Sequence, residues 1–557
     1  MGSLRSFRND PDMFLAEALG GFVASHPDAT WHKEGFISRT SSITAEDGKP
    51  AVAIVSGGGS GHEPLHSGMV GRGMLSAAVP GHLFTSPNAV QIREAINFAD
   101  QGRGVLLVVK NYTGDVMNFR VARNSVDVDT DYVIVADDVA TESDNDGPGR
   151  RGIAGTVLVE KVAGAAALRG DDLADVTRLA RYVADNTRSM SVSLAPGHLA
   201  TTGRDTFDLG SGEMEVGVGI HGERGTARVS VREANEIVDH LLDDITAALG
   251  DLDDVILLVN GLGATTDLEL DLMFGDSLKW LADKGIKVRR GVVGNFVTSV
   301  DMAGVTLTVT RATDEICELL DAPSAAPGWN PIIAVDPTFA PARMEQTDDV
   351  PDSGEDNEWL SGFLTRVEGG VDDLTELDRL AGDGDFGFNM RAAFGGLPTP
   401  ARGNDAELLR ALADRLLIRA GGTSGAVFGT MFTEMADAFE GEGSRTEKLA
   451  NGLQAAADAV AKLGGAKPGD RTMMDALVPA AEAAQGVRDK DFGESLNAIY
   501  EAAFEGAKST GNMLATKGRA SYVGEASKGV VDPGSIVVAW LFGGSGKVSD
   551  VTGDMKA

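Results

Sequence analysis

The sequence predicts an α/β N-terminal domain, made of two α/β subdomains, followed by an all-α C-terminal domain. Short apolar runs typical of buried strands recur before residue 330, whereas apolar residues at three- and four-residue spacing dominate after residue 357. Chain length supports the same division, because 557 residues exceed what one hydrophobic core usually accommodates.

The N-terminal domain is expected to span residues 1–329, with its subdomain break near residue 190. Buried strands are predicted at 51–55, 104–109, 132–136 and 255–259, and an amphipathic helix at 153–168. The alternation of strands and helices predicts largely parallel sheet, whose ligands bind at the carboxyl ends of the strands.

Residues 330–357 are predicted to be an interdomain linker, because prolines and acidic residues occur there without apolar periodicity. The helical domain then spans residues 358–557. Its helices are predicted at 406–418, 448–462, 475–484 and 493–507.

Composition argues against several classes of protein. A formal net charge of −34 disfavours a nucleic-acid partner, since phosphate backbones bind Lys and Arg. No apolar run reaches eighteen residues, and the N-terminus lacks the apolar core of a signal peptide, so we expect no membrane association. The single cysteine, Cys317, excludes an internal disulfide, and we therefore expect a cytoplasmic location.

The eight histidines all lie at or before His240. The strand at 51–55 runs into a glycine-rich segment that contains Gly59, Ser60, Gly61 and His62. This segment lacks the Gly-Lys-Ser/Thr ending of a P-loop, so it is suited to holding a small polar substrate against an imidazole. The alternative is a tight structural turn.

Two further segments carry candidate chemistry. Lys110 and Asp115 follow the strand at 104–109, where they could hydrogen-bond a polyol and accept a hydroxyl proton; a solvated turn is the alternative. His221 is flanked by glycines, which leave its ring accessible as a nucleophile toward a carbonyl, although lone histidines are more often structural. We expect His66 to be structural or to support the site.

The C-terminal domain carries a cluster of carboxylates, Asp378, Asp383 and Asp385. Three carboxylates this close need cations, and oxygen ligands favour Mg²⁺ or Ca²⁺. An EF-hand does not fit, because no Glu stands at its twelfth position; an ordinary acidic turn is the other alternative. Thr423 and Ser424 lie in a glycine loop before a predicted helix, which predicts a phosphate site. Together the two domains suggest phosphoryl transfer to a small molecule.

The ordered motifs resemble those of the dihydroxyacetone kinases, in the single-chain form that fuses a ketose domain with a nucleotide domain. The matching segments of the first domain include SGGGSGHEPLHSG, VVKNYTGDVMNF and VGVGIHGE; those of the second include LDRLAGDGDFGFNM, GGTSGAVFGTMF, GDRTMMDAL, KGRASYVGE and DPGS. The resemblance covers nearly the whole chain. It implies a C-terminal barrel of antiparallel helices, ATP and Mg²⁺ as cofactors, and phosphorylation of dihydroxyacetone. A homodimer is expected, so that the histidine site can face a nucleotide site.

The resemblance also implies roles for individual residues. His221 would hold the ketose covalently as a hemiaminal, while His62 and Asp115 would orient and deprotonate its terminal hydroxyl. The implied substrate contacts are Gly59, Ser60, Gly61 and Lys110. The implied magnesium ligands are Asp378, Asp383 and Asp385. The implied nucleotide contacts are Phe386, Gly387, Phe388, Asn389, Thr423, Ser424, Gly464, Met473, Arg519, Asp532, Pro533 and Gly534.

Two positions depart from the family pattern. Phe386 stands where relatives often carry a polar residue, and Arg224 stands near His221 where proline is usual. Arg224 could shift the preference toward a four-carbon ketose, so erythrulose kinase is the nearest alternative activity. A ketose-binding regulator without turnover and an FAD-AMP lyase that forms cyclic FMN are further alternatives.

Overall fold

The computed structural model describes residues 6–141, 149–330, 332–335, 350–351, 353–382, 384–518, 520–522, 524 and 528–552. The chain divides into two compact units, Met1–Pro341 and Ala342–Ala557. None of the helices in these ranges is both long enough and apolar enough to cross a membrane.

The first sheet of the N-terminal unit has six strands in the order β1-β2-β4-β3-β5-β6. Its strands are β1 Ala29–His32, β2 Phe36–Arg39, β3 Ala53–Ser60, β4 Ala77–Leu83, β5 Val105–Lys110 and β6 Thr130–Val135. The four strands from β4 to β6 are parallel, whereas β1 and β2 pair antiparallel. Because β3 and β5 are parallel neighbours, the segments that follow them emerge at the same edge of the sheet.

Five helices accompany this sheet. They are α1 Phe14–Ser25, α2 Ala89–Ala99, α3 Thr113–Arg123, α4 Gly155–Arg169 and α5 Leu173–Asp185. Helix α4 is buried on every side except at Arg169, which fits its composition of Gly, Ala, Val and Leu. It ends at Gly170, whose positive φ of 104° favours glycine.

The second sheet has the order β11-β10-β7-β14-β12-β13-β15. Its strands, with a separate hairpin β8–β9, are β7 Thr187–Ala195, β8 His198–Leu199, β9 Arg204–Asp205, β10 Glu213–Val216, β11 Ala227–Ser230, β12 Asp254–Gly261, β13 Lys287–Gly294, β14 Ala303–Arg311 and β15 Ile333–Ala334. Its helices are α6 Ala234–Leu249, α7 Asp267–Asp283 and α8 Asp314–Asp321.

The expectation of largely parallel sheet is wrong for this second sheet. Only β12 and β13 pair in parallel; the other neighbouring strands of this sheet are antiparallel. The antiparallel pairing follows from the way in which consecutive strands are connected. Strands β10 and β11, and also β13 and β14, follow each other without an intervening helix, so no crossover can bring them into parallel alignment.

The C-terminal unit is helical in its described part. Its helices are α9 Glu358–Leu380, α10 Phe386–Phe394, α11 Asp405–Arg419, α12 Gly422–Glu440, α13 Arg445–Gly464, α14 Met474–Gly486, α15 Phe492–Ser509, α16 Pro533–Trp540 and α17 Ser549–Thr552. Helix α13 begins with a capping box, in which Ser444 and Glu447 each bind the other's backbone N–H. Consecutive helices pack around one apolar core that includes Phe363, Phe432 and Met435.

The predicted fold class is confirmed: an N-terminal α/β unit and a C-terminal helical unit. Two local details differ from the predictions. Strand β3 continues through the glycines as far as Ser60 instead of ending at residue 55. Within the predicted linker, Ile333 and Ala334 pair with β13, while residues 336–349 lie outside the described residues.

Candidate active site

The glycine segment of β3 lies where parallel strands crowd together. A Cβ on Gly57 would lie 2.5 Å from the Val79 carbonyl oxygen of β4, and one on Gly59 would lie 2.7 Å from the Thr85 nitrogen. These glycines therefore let the backbone of β3 approach its neighbours without a clash. The Ser60 hydroxyl donates to the Gly81 carbonyl at 2.7 Å, which leaves Ser60 buried against β4.

His62 follows directly and is completely buried. Its Nδ1 lies 2.8 Å from the Thr298 carbonyl oxygen, which can only accept, so Nδ1 carries the ring proton. Nε2 then has a lone pair, and it has no hydrogen-bond partner among the described residues. Burial lowers the pKa of His62 well below its usual range, and His221 and Lys110 lower it further. His62 is thus a neutral base with an unused nitrogen.

His221 lies in the loop between β10 and β11, with its ring set edge-on to the rings of His62, Phe84 and Tyr112. Its centroid is 4.7 Å from that of His62 and 4.4 Å from that of Tyr112. Nδ1 lies 3.4 Å from Glu223 Oε1, so Nε2 is the nitrogen left for a reaction partner. Burial alone would raise the pKa of Glu223, but the contact with His221 outweighs it and the pKa is lowered.

Lys110 and Asp115 lie at the carboxyl end of β5 and in the first turn of α3, and both are buried. Burial lowers the pKa of Lys110, whereas the neighbouring Asp115 and Glu160 raise it. Asp115 Oδ1 has no hydrogen-bond partner in the described part of the chain. An unpaired buried carboxylate oxygen is costly, which makes it a candidate for binding a ligand hydroxyl.

Tyr112, Glu223 and Arg151 were not singled out in the sequence, although Tyr112 lies between Lys110 and Asp115. The Tyr112 hydroxyl is buried and finds no partner within the described ranges. Arg151 donates to Asp138 and to the Gly217 carbonyl, both at 2.8 Å, and so holds the start of the His221 loop. The hydrogen bond between Arg151 and Gly217 spans 66 residues, so it has no local signature in the sequence.

A separate cavity of about 240 Å³ lies in the helical unit. Ten of the predicted nucleotide and metal residues line it: Asp378, Asp385, Phe386, Thr423, Ser424, Gly464, Met473, Asp532, Pro533 and Gly534. Thr423 and Ser424 lie in the first turn of the long helix α12, whose free N–H groups favour an anion. Lys517 and Arg471 add positive charge to the lining.

Asp378 organises the loop that precedes α10. Its Oδ2 accepts from the backbone N–H groups of Gly384, Asp385 and Phe386 at 2.8 to 3.0 Å. This leaves Oδ1 for a cation, and a hard oxygen donor suits Mg²⁺. Asp383 lies outside the described residues, and within them no group of three or more His, Cys, Asp or Glu side chains forms a metal site.

Three predicted nucleotide contacts on α10 are absent from the described cavity lining. Gly387 packs against α9, where a Cβ would lie 1.9 Å from the Thr375 hydroxyl oxygen. Phe388 is 60% exposed. Asn389 Oδ1 accepts from the Gly421 N–H at 3.0 Å and so holds the glycine loop before α12. Arg519 lies outside the described residues.

Asp532 and Arg471 form the buried side of the cavity. Burial raises the pKa of Asp532 to about 7, although the Ser535 N–H and Arg471 both act to lower it. Arg471 donates twice to the Val530 carbonyl, at 3.0 and 2.7 Å. Asp532 also caps α16 through Ser535, so this turn is a rigid part of the wall.

Comparison with known proteins assigns both units to domain families. Residues 20–328 match the Dak1 domain family, and residues 380–546 match the DAK2 domain family. The crystal structure of the C. freundii dihydroxyacetone kinase in complex with AMP-PNP and Mg²⁺ is similar, with a TM-score of 0.62 and 30% identity over 97% of this chain and 99% of that chain. This chain belongs to the dihydroxyacetone kinase family.

Relatives in the dihydroxyacetone kinase family carry more than one activity name. The L-erythrulose 1-kinase of Mycolicibacterium smegmatis is 35% identical, covering 96% of this chain and 97% of the relative. The triokinase/FMN cyclase of Homo sapiens is also 35% identical, covering 94% of this chain and 95% of the relative.

The two departures from the family pattern fall in different environments. Phe386 is 7% exposed and lines the nucleotide cavity, and its backbone N–H binds Asp378. A polar side chain is not needed for that contact. Arg224 is exposed on the loop after His221.

Proposed function

We propose that this chain is an ATP-dependent ketose kinase. It transfers a phosphoryl group to the terminal hydroxyl of a short-chain ketose, which is held as a hemiaminal on His221. Dihydroxyacetone is the default substrate. The observation that carries the proposal is the buried Nε2 of His62, which has no partner among the described residues and lies beside the ring of His221, because it places a neutral base next to a nucleophile.

Capture of the ketose uses the two nitrogens of His221 differently. Nε2 bonds to the keto carbon, and the C=O π electrons move to the oxygen. Nδ1 gives its proton to Glu223, 3.4 Å away, and Glu223 returns one proton to the oxygen, so the adduct is a neutral hemiaminal and the carboxylate is restored. Only a carbonyl compound can be captured in this way, which excludes glycerol.

Transfer then requires that the terminal hydroxyl lose its proton. His62 Nε2 and Asp115 Oδ1 are buried acceptors without partners in the described part of the protein, and we assign them this role. The hydroxyl oxygen bonds to the γ-phosphorus of ATP as the bond to ADP breaks. Lys110, which is buried at the end of β5, is assigned to hold the ketose oxygens.

The helical unit suits the nucleotide. The N-terminus of α12, with Thr423 and Ser424, would bind phosphates, and Lys517 would add a positive charge in a chain that is strongly acidic. Asp378, Asp383 and Asp385 would hold Mg²⁺, which neutralises phosphate charge in such sites.

Erythrulose is the second candidate substrate, favoured by the 35% identity to the L-erythrulose 1-kinase. The deciding experiment compares kcat/KM for dihydroxyacetone and for both erythrulose enantiomers in a coupled assay of ADP release. Intact-mass spectrometry of the protein with each ketose detects the adduct. Ketose binding without ADP release would instead indicate a regulator, and cyclic FMN formed from FAD with Mn²⁺ would indicate the lyase.

We propose also that the active form is a homodimer, because transfer requires the histidine site to meet a nucleotide site. Light scattering at assay concentrations tests this, and an active monomer would refute it. A cytoplasmic location is proposed from the single cysteine, Cys317, which is buried. Fractionation of cells would show the protein outside the cytoplasmic fraction if this is wrong.

A further inference from the structure

A carboxylate, an imidazole and an amine form a buried chain behind the candidate ketose site. Glu160 of α4 places Oε1 2.6 Å from His66 Nδ1, and His66 Nε2 lies 2.6 Å from Lys110 Nζ. Each of the three residues is at most 5% exposed. The chain thus connects the interior of the unit to Lys110 without a break.

The neighbours of His66 fix its ring proton. The Ser56 hydroxyl donates to the Val108 carbonyl at 2.8 Å, and the same oxygen lies 3.0 Å from His66 Nδ1. Since that hydroxyl has only one hydrogen, Nδ1 must be the donor toward Ser56 and Glu160. Nε2 is therefore an acceptor, and the Lys110 ammonium donates to it.

The three groups can share their protons. Burial raises the pKa of Glu160 to about 8, and burial lowers the pKa of His66 well below its usual range. If Lys110 passes a proton to Nε2 while Nδ1 passes one to Glu160, the result is an uncharged amine and an uncharged acid with the same proton count. Glu160 Oε2, which has no partner among the described residues, makes the neutral form of the acid less costly to reach.

The backbone is shaped to admit this contact. A Cβ on Gly58 would lie 2.2 Å from Lys110 Nζ and 3.2 Å from His66 Nε2. Any larger residue at position 58 would displace the amine. The space that glycine leaves in β3 is therefore filled by the Lys110–His66 contact.

We propose that Glu160 and His66 are positioning residues for the ketose reaction, which hold the Lys110 amine at the site and share its proton. The inference rests on the proposed kinase activity, in which Lys110 contacts the ketose. The titratable groups that face Lys110 are Asp115 from α3, Glu160 from α4, and His62 and His66 from the segment after β3. Once Asp115 has accepted a proton from the substrate, Glu160 is the remaining carboxylate that offsets the amine.

The first test follows kcat/KM for the ketose against pH in the full-length protein. Glu160→Gln keeps the shape and removes the charge, so the pKa of Lys110 falls and activity is lost at lower pH. We expect the alkaline limb of the pH profile to shift to lower pH by about one unit or more, which lowers kcat/KM at a given pH on that limb roughly tenfold. Glu160→Asp should keep the limb near its wild-type position, and KM for ATP should stay within about twofold in both variants.

Lys161→Met is the matched control. Lys161 is the next residue of α4, equally buried, and it donates to the Leu319 carbonyl at 2.7 Å instead of facing the site. The Lys161→Met variant should have a lower melting temperature but an unchanged pH profile of kcat/KM. The proposal would be overturned if the alkaline limb of Glu160→Gln stayed at its wild-type pH, or if the limb of Lys161→Met shifted by the same amount.

A second test does not depend on turnover. Nitrogen chemical shifts of the histidines are measured in ligand-free protein, with His66→Gln used to assign the signals. We expect the Nδ1 signal of His66 to move in Glu160→Gln and its Nε2 signal to move in Lys110→Met. Unmoved signals would refute the chain itself, whereas moved signals in a protein without ketose kinase activity would refute only the proposed function.

Discussion

The carboxylate of Glu223 should govern the reactivity of His221, and Glu223→Gln removes its charge while keeping its shape. As Nε2 bonds to the keto carbon, the His221 ring gains positive charge until Nδ1 gives up its proton. A full unit charge there would attract the Glu223 carboxylate, 3.4 Å from Nδ1, by about 5 kcal/mol at an effective dielectric of roughly 20. Since 38% of the Glu223 side chain is exposed, water screens part of this. We expect a loss of about 1.5–3 kcal/mol, or roughly 10- to 100-fold in kcat/KM for the ketose.

The assay combines steady-state turnover with the fraction of adduct seen by intact-mass spectrometry. The pKa of Glu223 is lowered, so its carboxylate is present at neutral pH and is lost only as the pH falls through that lowered value. The wild-type protein should therefore show an acid limb that Glu223→Gln lacks. Glu215→Gln is the control, because Glu215 binds Arg228 at 2.9 Å and the Gly225 N–H at 3.1 Å instead of the His221 ring. Wild-type adduct formation in Glu223→Gln would refute the reasoning.

Three further variants separate the two sites. His221→Ala should abolish the ketose adduct and weaken rejection of glycerol; unchanged glycerol rejection, measured by ADP release, would contradict its role. Asp378→Asn should reduce ATP turnover at least roughly 100-fold while leaving the adduct intact, because it weakens three N–H contacts and a cation ligand. Tyr112→Phe removes a buried hydroxyl that has no partner among the described residues, so thermal unfolding should show no loss of stability. The ratio of kcat/KM for dihydroxyacetone to kcat/KM for erythrulose should change. An unchanged ratio would place that hydroxyl away from the ketose.

The fold class was predictable because it rests on local periodicity. Apolar runs located β3, β5, β6 and β12, and spacing of three and four residues located α11, α13, α14 and α15. The strand order and the antiparallel second sheet could not be predicted, because they depend on which distant strands meet. Strand β7, for example, lies between β10 and β14, and nothing in residues 187–195 specifies those partners.

The candidate residues of the ketose site could be located because chemistry-bearing side chains follow strand ends at glycine-rich segments. The contacts that support these residues could not be located from the sequence. The Thr298 carbonyl that fixes the His62 tautomer is 236 residues away, and Glu160 is 94 residues from His66. In the helical unit, a family motif predicts Asn389 as a nucleotide contact, which stays a prediction; the motif did not indicate that its Oδ1 accepts from the Gly421 N–H. A motif identifies residues that act together, but not which atom each one contacts.

The buried polar atoms left without partners explain how the site could choose its substrate. An unpaired buried donor or acceptor costs roughly 1–3 kcal/mol. Within the part of the chain that the structure describes, His62 Nε2, Asp115 Oδ1 and the Tyr112 hydroxyl are three such atoms. A ketose that carries hydroxyl groups on both sides of its carbonyl can pair with them, whereas a simple ketone leaves them unpaired. Capture by His221 selects for the carbonyl, and these atoms select for the hydroxyls. Neither feature alone would distinguish a short ketose from both glycerol and acetone, so the site needs the two together.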